Sequence, residues 1–423
     1  MEKVINLIKN NYRLWLFYLA IATLFILELI VYINDRGDQT AFANELKHHG
    51  FFEYAIYRYQ TWSSRLLIES VTMFMSGHYL IFDISFLVST FLALYALSKI
   101  IFSEKQFLYG KYLLPIIFIT VFPGVLFTSA GLIPTVTNYL FPLYALVIGW
   151  YLLNQKSYFS VLVAILAFAF AFMQEQFTVF GFLLIGFILI VEFVRDKKLN
   201  LRYLGAFVLT LIGLLSAAFS PGSAIRSTKE IATWYPGFDK LPLMTKILKG
   251  YLETNRILFV SAEINALFAL LLVLIILTVI KRQWLSTFAG GIILYTLIIN
   301  KLEMSSLLTA IQKTVDLQNT KDTLYFSIKD NLYPLILYTA LLVTIALITF
   351  FLFKEKLAGL SAVVILLAGY ATRMLVSMSP TIYASQLRTY IPLIFAIFLV
   401  ILLLVREISP WIQAKYPLKQ SQK

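Results

Sequence analysis

Apolar runs recur along the whole chain, each bounded by charge or by clusters of Pro, Gly and Asn. They fall at 14–33, 79–102, 112–128, 138–153, 158–173, 177–194, 203–219, 260–280, 285–300, 332–353, 357–376 and 389–405. A helix needs about 20 apolar residues to cross a hydrocarbon core ~30 Å thick. The pattern therefore predicts an all-α fold, a polytopic transmembrane helical bundle of about 12 spans within a range of roughly 10–13. The first run follows Lys3, Lys9 and Arg13 as a signal peptide would, but it is too long for a signal h-region and reads as an uncleaved helix.

Connection lengths are lopsided. With the N-terminus on one side, the segments on that side are short, whereas 34–78, 220–259 and 300–331 on the other side are long. Loops of that size usually carry function, and short interfacial helices are expected within them. The chain has no cysteine, so these loops must pack on each other or on the bundle. No internal repeat or detachable soluble domain is visible. The expected organisation is one integrated membrane domain. Residues 1–230 form its catalytic module, including the loop 34–78, and 231–423 add further spans with the loops 231–259 and 300–331.

Composition agrees: 60% of the 423 residues are hydrophobic and 13% charged, with mean hydropathy +0.82. A soluble domain carries about 25% charged residues, so an ordinary globular enzyme is excluded, as is disorder. The formal net charge of +13 raises the question of an anionic partner. Sorting by side answers it. Nineteen of the 35 lysines and arginines, but six of the 22 acids, lie on the N-terminal side, so that side accounts for the whole excess. Under the positive-inside rule this places the N- and C-termini in the cytoplasm and the long loops outside. The charge reports orientation in a lipid bilayer of a cell membrane, with no nucleic acid implied. Trp15, Trp150, Trp284 and Trp411 fall near the same helix ends, as an aromatic belt would.

Polar residues on the long-loop side are the candidates for chemistry. Asp35 and Asp38 follow the first span, with Gly37 allowing a tight turn. One carboxylate acts as a catalytic base or metal ligand, or Asp38 merely N-caps the next helix. In Trp62-Ser63-Ser64-Arg65, read as part of an interfacial helix, Arg65 either grips phosphate or pairs with Glu69 one turn on. Asn138 and Tyr139, between Pro134 and Pro142, orient a substrate hydroxyl or cap the fourth span. Glu175 sits at membrane depth, where an ionisable residue is a functional hypothesis by default; it balances an arginine or marks a turn. Ser220-Pro221-Gly222 followed by Arg226 suggests an anion cradle. Arg373 and Arg388 lie at outer ends, where snorkelling to headgroups is the simplest account. His48, His49 and His78 show no zinc spacing, and no Walker, dinucleotide or nucleophile-elbow motif occurs. No cofactor is specified by a motif; a divalent metal is possible but not indicated.

Taken in order, these elements resemble a largely uncharacterised bacterial family of multi-pass membrane proteins with GT-C-type glycosyltransferase architecture. The resemblance rests on the acids after helix one (Asp35, Asp38), Trp-x-x-Arg (Trp62 to Arg65), Asn-Tyr-Leu-x-Pro (Asn138 to Pro142), Glu175, and Pro-Gly-x-x-x-Arg (Pro221 to Arg226). It covers about the first 230 residues; beyond them only hydropathy and Arg388 match. The family tends to pair its acids directly, whereas Arg36 and Gly37 separate them here, and it tends to have Asn where this chain has Ser223.

The resemblance implies a membrane glycosyltransferase that moves a sugar from a polyprenyl-phosphate donor to a cell-envelope glycan or teichoic-acid-like acceptor. Asp38, then Asp35, would be the catalytic carboxylate, with Arg65, Trp62, Asn138, Tyr139, Glu175, Arg226 and Arg388 binding substrate. Two other classes fit the pattern: a transporter or flippase, which would concentrate polar residues near the midplane, and a polysaccharide polymerase or ligase.

Overall fold

The computed structural model describes residues 2–33, 37–103, 107–261, 264–319 and 324–415. Asp35 lies outside them. Among the described residues the chain is helical, with no strand. Helix α1 (Glu2–Tyr32) is followed by three short helices, α2 (Gln39–Glu45), α3 (Phe51–Thr61) and α4 (Leu66–Gly77). Then come α5 (Tyr79–Ile101), α6 (Leu108–Val121) and α7 (Leu132–Thr135), which runs through a π turn at Val136–Leu140 into α8 (Phe141–Leu153). Next are α9 (Tyr158–Ala171), α10 (Glu175–Asp196), α11 (Leu201–Phe219), α12 (Pro221–Trp234) and α13 (Leu243–Asn255), the last ending in a second π turn, Arg256–Val260. The chain closes with α14 (Ala266–Ile280), α15 (Trp284–Lys301), α16 (Leu307–Asn319), α17 (Leu332–Leu352), α18 (Lys356–Leu375) and α19 (Ile391–Lys415).

Each of the twelve apolar runs contains an α-helix among its described residues. Among the described residues eight helices are long and apolar enough to cross a membrane. Helices α6, α9 and α14 have 14, 14 and 15 residues, a rise of roughly 21–23 Å against ~30 Å of hydrocarbon. The short helices α2–α4, α12, α13 and α16 occupy the three long connections.

A helix apolar on every side belongs in the middle of a bundle, and α19 is that helix. Its run Ile394, Ala396, Phe398, Val400, Ile401, Leu402 and Leu404 is fully buried, and α18, α14 and α6 pack around it. The Phe398 ring meets Phe118 of α6 and Phe122 just after it at 5.8 and 6.1 Å. By contrast α11 is largely exposed, with Leu211, Ile212, Leu215 and Phe219 all outward.

Among the described residues, basic side chains of the short connections tie helix ends together at one end of the bundle. There Lys281 pairs with Glu407 at 2.7 Å, and Arg202 donates to the carbonyls of Leu153 and Gln155. The start of α10 and the end of α11 lie at the other end, with α2–α4 and α12.

Candidate functional site

At that second end a cavity of about 580 Å³ opens, within the usual range for ligand pockets. It is lined by Asp38, Trp62, Arg65, Asn138, Tyr139, Glu175, Arg226 and Arg388. The structure thus brings together every described residue singled out from sequence as a site candidate, drawn from segments far apart in the chain.

The first wall is built around a break between α3 and α4. Sequence spacing suggests one interfacial helix through this stretch, but the structure ends α3 at Thr61 and starts α4 at Leu66. Serines are the reason, because their hydroxyls compete for backbone groups: Ser63 Oγ accepts from the Arg65 N–H, and the Ser63 N–H bonds the Arg58 carbonyl. The break turns Ser64 and Arg65 toward α10. Arg65 Nε and Nη2 bond one Glu175 oxygen at 2.9 and 2.8 Å, while Ser64 Oγ donates to the other at 2.8 Å. Arg65 Nη1 donates to Asn138 Oδ1 at 3.0 Å. Burial works against the Arg65 charge, but Glu175 foremost outweighs it, and the proton is held more firmly than in water.

Asn138 sits inside the π turn, not at a cap. Its amide nitrogen donates to the Pro134 carbonyl at 2.9 Å and to Thr72 at 3.3 Å. Thr72 and Thr137 share a hydrogen bond of 2.7 Å, tying α4 to the π turn. Tyr139 is buried in the same turn and likewise caps nothing.

Two other expectations are corrected. Glu69 pairs with Arg58, at 2.9 Å, so Arg65 is not its partner. The Pro221-Gly222 element is the first turn of α12, capped by Ser220, whose hydroxyl accepts from the Ser223 N–H. Gly222 lies so near α3 that a Cβ would fall 2.3 Å from the Trp62 nitrogen. It serves close packing, not an anion cradle, and Arg226 is paired with Glu230 at 2.7 Å. The Trp62 ring lies among three cations: Arg58, Arg226 and Lys229, at 5.4, 5.7 and 5.8 Å.

Asp38 occupies the N-cap position of α2, yet its side chain makes no capping bond. Its N–H donates to the Ala130 carbonyl at 3.0 Å. Gly37 has φ +47°, and a Cβ there would meet Ala130 backbone atoms at 2.4 Å, so only glycine fits the turn. On the far wall Gln176 joins the two halves of the chain, donating to the Thr372 and Thr389 carbonyls at 3.0 and 2.9 Å. Next to Thr389, the half-buried Arg388 reaches the cavity. Arg373 does not snorkel: it is 1% exposed and lies 4.4 Å from the Tyr390 ring.

Eight charged side chains line the cavity. Arg58–Glu69, Arg65–Glu175 and Arg226–Glu230 neutralise one another. Asp38 and Arg388 remain, with no ion pair or side-chain hydrogen bond among the described residues. The sequence does not rank Arg65, Arg226 and Arg388; pairing sets Arg388 apart. Gln176 and Glu230 are not among the sequence candidates, although a further amide beside Glu175 and an acid one helical turn from Arg226 are signals. Among the described residues no group of three or more His, Asp or Glu could hold a metal ion. No protein-family model, curated protein or solved structure matches the chain.

Proposed function

We propose that this chain is a membrane glycosyltransferase that uses a polyprenyl-phosphate sugar and modifies a cell-envelope glycan or teichoic-acid-like acceptor. In this reading it crosses the bilayer about twelve times, counting the shorter helices, with both termini cytoplasmic and the cavity outside. The observation that carries the proposal is the pairing pattern. At one end of an apolar bundle, a cavity keeps, among the described residues, one carboxylate, Asp38, and one guanidinium, Arg388, outside any ion pair.

Glycosyl transfer to a hydroxyl needs those two groups. The carboxylate takes the acceptor proton as the oxygen attacks the anomeric carbon. The bond from that carbon to the phosphate oxygen breaks, and its electron pair leaves with the phosphate. Positive charge is wanted where that negative charge grows, which is the task assigned to Arg388. A single displacement inverts the anomeric centre, through an oxocarbenium-like state. The Arg65–Glu175–Asn138 network holds the walls, and Trp62 offers an aromatic edge beside the sugar.

The test is to express Asp38→Asn and Arg388→Ala at wild-type levels and measure both envelope sugar composition and turnover of a polyprenyl-phosphate sugar by purified protein. Both variants should lose transfer by at least ~100-fold, the scale of a lost general base or charge-stabilising group. Unchanged envelope sugars with either variant would remove that residue from the chemistry. Accumulation of substrate inside proteoliposomes, without a glycosidic product, would favour transport.

A further inference from the structure

The segment from Trp234 to Ile247 exposes large apolar side chains that nothing in the cavity uses. Trp234 is 60% exposed, Leu243 64%, Met244 63% and Ile247 37%. The residues between them form a small separate core: Tyr235, Phe238 and Leu241 close over Ile382, with Ile231 and Leu324 alongside. A tip with its own core and outward apolar residues is built to present them, not to hide them. Helix α12, which leads into the tip, is strongly two-sided. Ser223, Arg226, Ser227 and Glu230 line the cavity, while Ile225 and Lys229 are exposed.

We propose that this α12–α13 tip is a membrane seat, with Trp234, Leu243, Met244 and Ile247 buried in the headgroup region of a lipid bilayer. Two observations choose lipid as the occupant. The first is continuity. Helix α11 is an apolar helix of membrane-crossing length whose outward surface runs to Phe219, 76% exposed. Helix α12 starts two residues later, so it begins where a lipid-facing helix leaves the membrane. The second is composition. Lys229, Lys240 and Lys246 flank the tip, and a two-sided helix combining lysines with a tryptophan suits an interface containing anionic lipid. The Lys246 ammonium lies over the Phe238 ring at 4.5 Å, which puts a cation against the small core at the tip. Because Ile382 belongs to that core, the seat is joined to the segment that carries Arg388. The inference rests on the chain's crossing a bilayer and not on glycosyl transfer, so either reading can fail alone.

The absence of cysteine makes the test direct. Leu243→Cys, Met244→Cys and Ile247→Cys are made singly in the full chain, labelled with a nitroxide and placed in nanodiscs of equal parts phosphatidylcholine and phosphatidylglycerol. Leu215→Cys supplies the lipid-facing reference and Asp239→Cys the exposed one. The oxygen-to-nickel-chelate accessibility ratio at the three tip positions should approach that at 215 and exceed that at 239 several-fold. It should fall when phosphatidylglycerol is omitted. Trp234 supplies a label-free check: the fluorescence difference between wild type and Trp234→Phe should be quenched by lipids brominated near the headgroup. Labels as open to the nickel chelate as at 239 would overturn the proposal. So would labels closed to both reagents, which would mean that a second copy or another protein covers the tip.

Discussion

Removing the charge of Glu175 by Glu175→Gln leaves the Arg65 guanidinium with Asn138 as its remaining partner in the cavity wall. Breaking one partner of a buried ion pair costs about 3–5 kcal/mol, because the other charge stays behind unpaired. Here the side chains retain 16% and 26% exposure, so water screens part of that loss and about 2–3 kcal/mol is expected. Arg65→Met should cost a similar amount, since it leaves Glu175 without its ion-pair partner, with Ser64 and the more distant Arg226 charge beside it. The two changes together should cost less than their sum by about 1–2 kcal/mol, as neither charge is then stranded. Equilibrium unfolding from mixed micelles, followed by tryptophan fluorescence and far-UV circular dichroism with coincident transitions, measures all four corners of this cycle. Additivity within about 0.5 kcal/mol would refute the coupling, and with it the account of how α4, α10 and the π turn are fastened around the cavity.

Gly222→Ala should destabilise the chain by about 1–3 kcal/mol, because the new methyl meets backbone atoms of Trp62, Tyr59 and Ser63 that cannot rotate away. Gly205→Ala, which meets nothing within 4 Å in α11, should be neutral or gain up to about 1 kcal/mol, and the same unfolding assay compares them. Arg373→Met should keep stability within about 1 kcal/mol or raise it, since Nε and Nη1 are buried without partners; a loss above ~3 kcal/mol would reveal an anionic partner. The Glu53 carboxyl is held below its usual value by the Gly50 N–H and then by His49. Its support for the start of α3 is therefore complete above the unfolded value of about 4.3 and is lost as pH falls through the lower folded one. Hydrogen exchange over 51–61, corrected for the intrinsic rate, should rise with acid in the wild type and change less in Glu53→Gln.

What could be read in advance follows from how far each signal reaches along the chain. Helix α19 was visible as a span because burial on all sides leaves a continuous apolar run. Alternation puts the candidates on one side, because spans that reverse direction return every second connection to the same end; that they share one cavity is visible only in the structure. Partners were not legible. Arg65 and Glu69 are one turn apart and invite pairing, yet the two serines break the helix between Arg58 and Arg65, and the partner of Arg65 lies 110 positions along the chain. The Pro-Gly element misled for a related reason. Glycine admits a turn and also admits close packing, and only the backbone of Tyr59, Trp62 and Ser63 at the end of α3 decides between them.

The π turn at Val136–Leu140 has a consequence for how this protein tolerates change. A π turn amounts to an α-helix carrying one surplus residue, so it uncouples the rotation of the helix before it from the rotation after it. Deleting one residue between Val136 and Leu140 would restore α geometry, shorten the helix by ~1.5 Å and twist its first turns by ~100° relative to α8. The buried face of α8 would keep its packing, while Asn138 would swing away from Arg65. A single deletion could thus erase the site and spare the bundle, a separation of folding from chemistry that side-chain substitution rarely achieves so cleanly.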